Sequence, residues 1–146
     1  KDIYTPIIIV CNHGKQKEAI TRLSRIGFDN CLGYIPFKDN SNLELYYKTS
    51  SLDNVQPSDF INSSINSKIL DVRTKSEFNN GSFKNAINIP LKFIDDEISI
   101  SNDKKMYLFC AGGYRSVIAC SILLRKGFKK LVNVDKGFNG IQKALN

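Results

Sequence analysis

The sequence predicts an α/β fold with a mainly parallel central sheet and helices on both faces. Three observations carry that prediction. Short apolar strings of strand length alternate with longer strings of helical period. Glycine or proline closes most of these strings, as expected where a strand or helix must stop. One strand–turn–helix unit occurs twice along the chain. With 146 residues and 42% hydrophobic content the chain can bury one ordinary core. It has no apolar run of the roughly 18 residues that a membrane span needs.

The elements follow in order. "IIIV" (7–10) reads as a strand, and the amphipathic stretch after it ends at Gly27-Phe28 before a second apolar strand at 31–35. Residues 39–67 are dense in Asn, Ser, Asp and Lys, with a short strand expected at "LELYYK" and a helix at "QPSDFINSSI" beginning near Pro57. "KILDV" (68–72) is a buried strand, "TKSEFNNG" a short helix closed by Gly81, and "NAINIP" a strand stopped by Pro90. "LKFIDDEI" reads as a helical turn or two. "KMYLFC" (105–110) is a strand, "SVIACSILLRKG" (116–127) a helix ending at Gly127, "KLVNV" (130–134) a strand and "GFNGIQKAL" a closing helix. Strands that alternate with helices in this way pair in parallel and are buried on both faces.

The repeat lies between residues 7–28 and 106–128, each an apolar strand, a cysteine, a glycine-containing turn, an amphipathic helix and a terminal Gly-Phe. The upstream copy is one residue shorter and has no strand and acidic stretch before it to match 68–90. Such a strand–helix–strand piece cannot cover its own apolar faces. The expected organisation is therefore a partial upstream unit at 1–37, a linker at 38–54 and a complete domain at 55–146. Because the chain opens on Lys1 and carries only the second half of the repeated unit there, it is expected to be the C-terminal part of a longer protein.

Composition narrows the function classes. The net charge of +7 suits nucleic acid, an anionic small molecule or solubility alone. No Lys/Arg cluster is interleaved with aromatics, so neither nucleic acid nor a membrane is expected as a partner. No leader opens the chain, and a cytoplasmic location is expected. Cys11, Cys31, Cys110 and Cys120 are too few and too embedded in apolar strings for a disulfide framework, so reduced thiols are expected. Cys120 shares a helical face with Val117 and Leu124, and it and Cys31 read as core residues. His13 is the only histidine, which argues against a metal site.

Cys110 is the residue with a chemical setting. In an open α/β sheet the loop leaving the C-terminal end of a strand and entering a helix is where ligands bind, because helix-start N–H groups point into it. "CAGGYR" is that loop. Gly112 and Gly113 permit the backbone angles that turn successive N–H groups inward. Arg115 adds a permanent cation and Ser116 is a good N-cap for the following helix. A thiol there has a depressed pKa and is a nucleophile in an anion pocket; the plainer reading is a buried strand-end cysteine. Tyr114 at the loop tip either contacts substrate or shields the sulfur. Asp71, Arg73 and Glu77, at a strand end and helix start, read as a charged trio that ties loops together.

Two motifs resemble the rhodanese family. "ILDVRTKSEFNNGSFKNAINIP" (69–90) looks like the family's Asp-Val-Arg…Glu…Gly-His-Ile-Pro-Gly-Ala-x-Asn-Ile-Pro signature, with Ser82 and Asn85 at the usual His and Gly, and "CAGGYRS" looks like its active-site loop. The resemblance covers 55–146 and implies a rhodanese-like three-layer fold with active-site loop 110–115. It makes Cys110 the sulfur-accepting nucleophile and Ala111 to Ser116 the backbone cradle of a persulfide. Arg115 would fix the loop, with Asp71, Arg73 and Glu77 as its support. The ring from Cys110 to Arg115 has six residues, the length that accompanies sulfurtransferases and not the related phosphatases. The resemblance implies a small anionic sulfur donor, a thiol, sulfite or cyanide acceptor, and no cofactor beyond the covalent cysteine persulfide. Residues 5–35 also resemble the inactive first rhodanese domain of bacterial fusions with a metallo-β-lactamase-fold hydrolase, similar to persulfide dioxygenases. That implies a metal-dependent hydrolase upstream, and a carrier module within a larger enzyme as the alternative to an independent sulfurtransferase.

Overall fold

The computed structural model describes residues 2–37, 51–95 and 104–146. They fall into two compact units, one within residues 1–50 and one over Ser51–Asn146. The expected strand "LELYYK" and residues 96–98 of the expected "LKFIDDEI" turns lie outside the described residues.

The described residues of the first unit form β1 (Ile7–Cys11), α1 (Gln16–Ser24) and β2 (Cys31–Pro36). The two strands pair in parallel, with Ile9 opposite Tyr34. Gly27 takes a left-handed φ of +87° after the helix, the conformation that makes glycine the usual residue past a helix end. No residue of α1 is buried, and among the described residues of this unit only Ile9 is a buried hydrophobe. Ile8, Val10 and Leu32 are exposed. One helix and two strands do not cover both faces of their own sheet. Cys31, expected in a core, is only half-buried for that reason.

The second unit has β3 (Asp53–Val55), α2 (Pro57–Ser63), β4 (Lys68–Asp71), α3 (Lys75–Asn79), β5 (Ile87–Asn88), a 3-10 turn (Leu91–Phe93), β6 (Met106–Phe109), α4 (Tyr114–Arg125), β7 (Leu131–Val134) and α5 (Gly137–Leu145). Its five strands lie in the order β3-β7-β6-β4-β5, and every pair is parallel. This is the α/β architecture that the alternation of strands and helices predicts. Strand β3 lies in the stretch expected as linker. Its residues Asp-Asn-Val carry no apolar pattern, and pairing makes it a strand: Asp53 stands opposite Val132 and Val55 opposite Val134. The Asn133 side-chain amide adds a 2.8 Å hydrogen bond to Asn54 Oδ1.

Local chemistry sets the helix ends. Thr74 caps α3 in a reciprocal box: its Oγ1 accepts from the Glu77 N–H at 3.3 Å, and the Glu77 carboxylate accepts from the Thr74 N–H at 2.9 Å. Helix α4 begins at Tyr114, ahead of the expected 116, with Gly113 and not Ser116 at the cap. Asn85 has φ +62°, a left-handed angle at the position where the resembled signature has glycine. Asparagine tolerates that region better than other non-glycine residues, so the turn into β5 is kept without the glycine.

The sheet is covered on both faces, and strand period two decides which side chain goes where. Leu70, Met106 and Leu108 face Ala119, Cys120 and Leu123 of α4. Ile69, Tyr107, Phe109, Val132 and Val134 face Phe60 of α2 and Phe138 and Ile141 of α5. The buried stripe of α4 thus runs through Ser116, Ala119, Cys120 and Leu123, while Val117 and Leu124, expected beside Cys120, are exposed. Phe60 is enclosed by Phe83 at 4.8 Å and Tyr107 at 5.3 Å between ring centroids. No helix among the described residues is long and apolar enough to cross a membrane.

Phe60→Ala is expected to lower stability by about 3–5 kcal/mol through lost burial and the cavity left behind. Ile65→Ala, at a residue 83% exposed, should change it by less than about 0.5 kcal/mol. Urea unfolding midpoints of the two variants check both values.

Candidate active site

Cys110 directly follows β6, and its side chain continues the face of Met106 and Leu108, toward the first turn of α4. The residue is buried, so a charge on its sulfur must be met by protein donors. The Gly113 N–H reaches Sγ at 3.1 Å and the Ser116 hydroxyl lies 3.6 Å away. Burial is the largest single influence and pushes the thiol up. The Ser116 hydroxyl and the amides of Ser116, Gly113 and Gly112 together outweigh it and hold Cys110 below the ordinary thiol value. Ser116 therefore acts on the sulfur from inside the first turn. Its single proton is shared between that sulfur and the Gly113 carbonyl at 2.8 Å.

The loop is shaped from two sides. Gly113 has φ +103°, which an L side chain rarely adopts, whereas Gly112 takes no left-handed angle and a Cβ there would meet open space. Only one glycine of the pair is conformationally required. On the other side the Phe138 N–H donates to the Cys110 carbonyl at 2.7 Å and the Asn139 N–H to the Ala111 carbonyl at 3.1 Å. In a trans peptide the N–H points opposite to the C=O, so a carbonyl held outward turns the next amide toward the sulfur. The first turn of α5 can come this close because residue 137 is glycine: a Cβ there would stand 2.2 Å from the Cys110 carbonyl oxygen. Sequence reasoning missed Gly137, Phe138 and Asn139. The one available signal was the glycine opening "GFNGIQKAL", and nothing in the sequence says what it approaches.

The charged trio divides into two jobs. Arg115 makes a two-pronged ion pair with Glu77, Nη2 to Oε1 at 2.6 Å and Nη1 to Oε2 at 2.8 Å. The Arg115 hydrogen bond holds the Glu77 carboxyl well below the usual carboxylate range, with burial opposing and Thr74 adding to the effect. Arg115 also lies within electrostatic reach of Cys110, but its strongest partner is the carboxylate. Asp71 and Arg73 form a buried pair, 2.6 Å between Oδ2 and Nη2. The Arg73 guanidinium also donates to the Gly81 carbonyl at 2.8 Å and the Glu77 carbonyl at 3.2 Å, and lies 3.9 Å from the centre of the Phe138 ring. The pair thereby joins the helix that carries Glu77 to the helix that holds the Cys110 loop. Tyr114 is 86% exposed at the start of α4.

The other thiols have no comparable setting. Burial pushes Cys120 up to about 12. Cys11 and Cys31 are half-buried, and all four cysteines are free. His13 is exposed, and no group of His, Cys, Asp and Glu able to hold a metal occurs among the described residues.

Two outcomes follow from this geometry. Because the folded-state pKa of Cys110 is depressed, the thiol adds stability that is fully present above the unfolded value of about 8.5 and is lost as pH falls through the folded value. Its iodoacetamide rate should half-saturate below about pH 8.5, and Ser116→Ala should raise that midpoint by about one unit by removing a donor to the charged form. Gly137→Ala should displace the loop carbonyls and slow alkylation of Cys110 at pH 7 by about tenfold, a loss near 1.4 kcal/mol in thiolate stabilisation. Peptide mass mapping of the alkylated cysteine reads both.

Comparison with known proteins places this site in a family. The family model described as "Rhodanese-like domain" matches residues 57–144. The chain is 37% identical over 75 residues to a tRNA uridine(34) hydroxylase of Hamiltonella defensa, covering 47% of this chain and 21% of that protein. It is 30% identical over 70 residues to a sulfurtransferase of Allochromatium vinosum, covering 47% of this chain and 65% of that one. The crystal structure of a rhodanese-related protein from Thermoplasma volcanium superposes with a TM-score of 0.59 at 29% identity, covering 62% of this chain and 91% of the other. The chain spans less than two thirds of the length of these curated relatives. With the family model covering more than half of its residues and a parallel sheet of the same fold, the chain belongs to the rhodanese-like domain family.

Proposed function

We propose that the chain is a rhodanese-type sulfurtransferase, moving sulfane sulfur from thiosulfate or a low-molecular-weight persulfide to a thiophilic acceptor through a persulfide on Cys110. The observation that carries this reading is the ring of donors around one buried sulfur: Gly113 N–H at 3.1 Å, the Ser116 hydroxyl at 3.6 Å and further amides of the same turn. Such a ring favours an anionic sulfur, and it serves a terminal persulfide anion as well as a thiolate. The sulfurtransferase relative carries a name consistent with it.

In the first step the Cys110 thiolate attacks the outer sulfur of the donor. A new S–S bond forms on Cys110 while the donor's own S–S bond breaks, and the donor departs with that electron pair, as sulfite from thiosulfate or as a thiolate from a persulfide. In the second step the acceptor's nucleophilic atom attacks the terminal sulfur and Cys110 leaves as the thiolate. The electrons balance within each exchange, so neither a metal nor a redox partner is demanded. Gly112, Gly113 and Ser116 hold the charge, Ala111 is held by its carbonyl, and Arg115 fixes the first turn through Glu77. Tyr114 is placed to meet an incoming substrate. The upstream hydrolase rests on the resemblance at residues 5–35 alone, and the two exchanges at Cys110 do not require it.

Incubation with thiosulfate should add one sulfur to Cys110 by intact and peptide mass, and subsequent cyanide should release it as thiocyanate over many cycles. Cys110→Ser should lose both steps by at least about a thousandfold, since the residue is the covalent nucleophile. Sulfur mapped chiefly to Cys11, Cys31 or Cys120 would overturn the assignment. One round of loading without turnover would identify a carrier.

A further inference from the structure

A cavity of about 610 Å³ opens beside the Cys110 loop, with Arg115 in its wall. Pro90, Leu91 and Phe93 supply an apolar side, and Lys75 and Lys92 add two cations to Arg115. Its size lies in the range, about 300–1,000 Å³, that encloses a drug-sized ligand and far exceeds what a five-atom thiosulfate fills. Its charge is unbalanced. Arg115 is neutralised by Glu77, whereas neither Lys75 nor Lys92 has an acidic partner among the described residues. Lys92 Nζ lies 4.4 Å from the centre of the Phe93 ring, so that a cation stands directly against the apolar side. Lys75 opens α3 after β4, which pairs with β6, and Lys92 sits in the 3-10 turn after β5, which pairs with β4. Arg115 lines the cavity and closes the six-residue loop that begins at Cys110, so it marks the end of the cavity nearest the sulfur in the chain.

We propose that Lys75 and Lys92 form a tail-binding subsite for an organic persulfide that carries carboxylates on a partly apolar body, and that such a persulfide is preferred over thiosulfate as the donor. The proposal rests on the sulfur-transfer reading above for its chemistry but on the cavity for its specificity. The carboxylates pair with the two ammonium groups, the aliphatic part of the donor covers Leu91 and Phe93, and the outer sulfur is delivered past Arg115 to Cys110. There the Cys110–sulfur bond forms, the donor's S–S bond breaks, and the organic thiolate leaves with the electron pair.

The test compares loading of Cys110 from glutathione persulfide, which has two carboxylates, from the uncharged 2-hydroxyethyl persulfide, and from thiosulfate. Wild-type protein should load from glutathione persulfide at least tenfold more efficiently than from 2-hydroxyethyl persulfide, measured as the second-order loading rate by intact mass. Lys75→Ala/Lys92→Ala should abolish most of that ratio, the Lys75→Arg/Lys92→Arg pair should keep it, and raised salt should shrink it in wild type. A ratio unchanged by the double alanine variant, or a wild-type preference for thiosulfate, would overturn the subsite. A second readout does not depend on sulfur transfer. S-methylglutathione, which has no sulfane sulfur, should perturb backbone amide NMR signals around Lys75 and Lys92 in wild type and bind at least fivefold more weakly to the double alanine variant. Absence of loading from every donor with retained, lysine-dependent S-methylglutathione binding would overturn the sulfurtransferase reading and leave the subsite standing; equal binding to both proteins would overturn the subsite.

Discussion

The site depends on how the carbonyls of Cys110 and Ala111 are held. Two N–H groups from the first turn of α5 take those carbonyls, at 2.7 and 3.1 Å, and the Gly112 amide that follows the second of them acts on the sulfur together with Gly113 and Ser116. That clamp fixes the start of the turn, and the left-handed Gly113 and the first turn of α4 then bring the Gly113 N–H and the Ser116 hydroxyl to the sulfur. Cys120 shows a contrasting case in the same molecule: its side chain is also buried, it lacks the ring of donors, and burial pushes its thiol up to about 12. Burial pushes both thiols up, and only Cys110 has the donors that outweigh it.

The clamp is itself anchored by the acidic motif upstream. Arg73 lies over Phe138, the residue that donates to the Cys110 carbonyl, and its buried partner Asp71 holds it there. A buried ion pair of this kind adds little net stability over an apolar pair, because desolvation offsets the attraction, but it fixes direction through several hydrogen bonds at once. Glu77 works the other way round, from α3 to Arg115. One carboxylate caps its own helix and holds the first turn of another, so the two motifs, distant in sequence, form a single frame around the sulfur.

The described residues of the first unit show the repeated pattern without the neighbouring strands it has in the second. Strand β1, helix α1 and strand β2 reproduce the order of β6, α4 and β7. In the second unit β6 lies between β4 and β7, whereas β1 has β2 as its neighbour in a two-stranded sheet. Ile8, Val10 and Leu32 are left exposed. A strand acquires two buried faces from neighbours on both edges and helices on both sides, and the string "IIIV" is as apolar as "MYLF" without having them among the described residues.

Much of the fold was legible in the sequence because it follows from local pattern. Apolar runs, the Thr74–Glu77 cap, Gly81, Gly127 and the alternation of elements fixed the parallel α/β architecture, and the neighbourhood of Cys110 was recognisable from the residues of one loop. Strand β3 was not, because its three residues carry no pattern and exist as a strand only through pairing with β7. The start of α4 at Tyr114 and the true role of Ser116 were not legible either: serine at that position suits a cap, and only the helix's earlier beginning brings its hydroxyl against the sulfur. The sequence by itself determined which thiol stands at a strand end before a glycine turn and a helix, and which residues surround it in the chain. Tertiary structure decided which donors meet that sulfur and what stands beside its loop, since the Gly137 approach, the Glu77–Arg115 pair and the cavity at Lys75 and Lys92 each join segments whose sequence separation hides the contact.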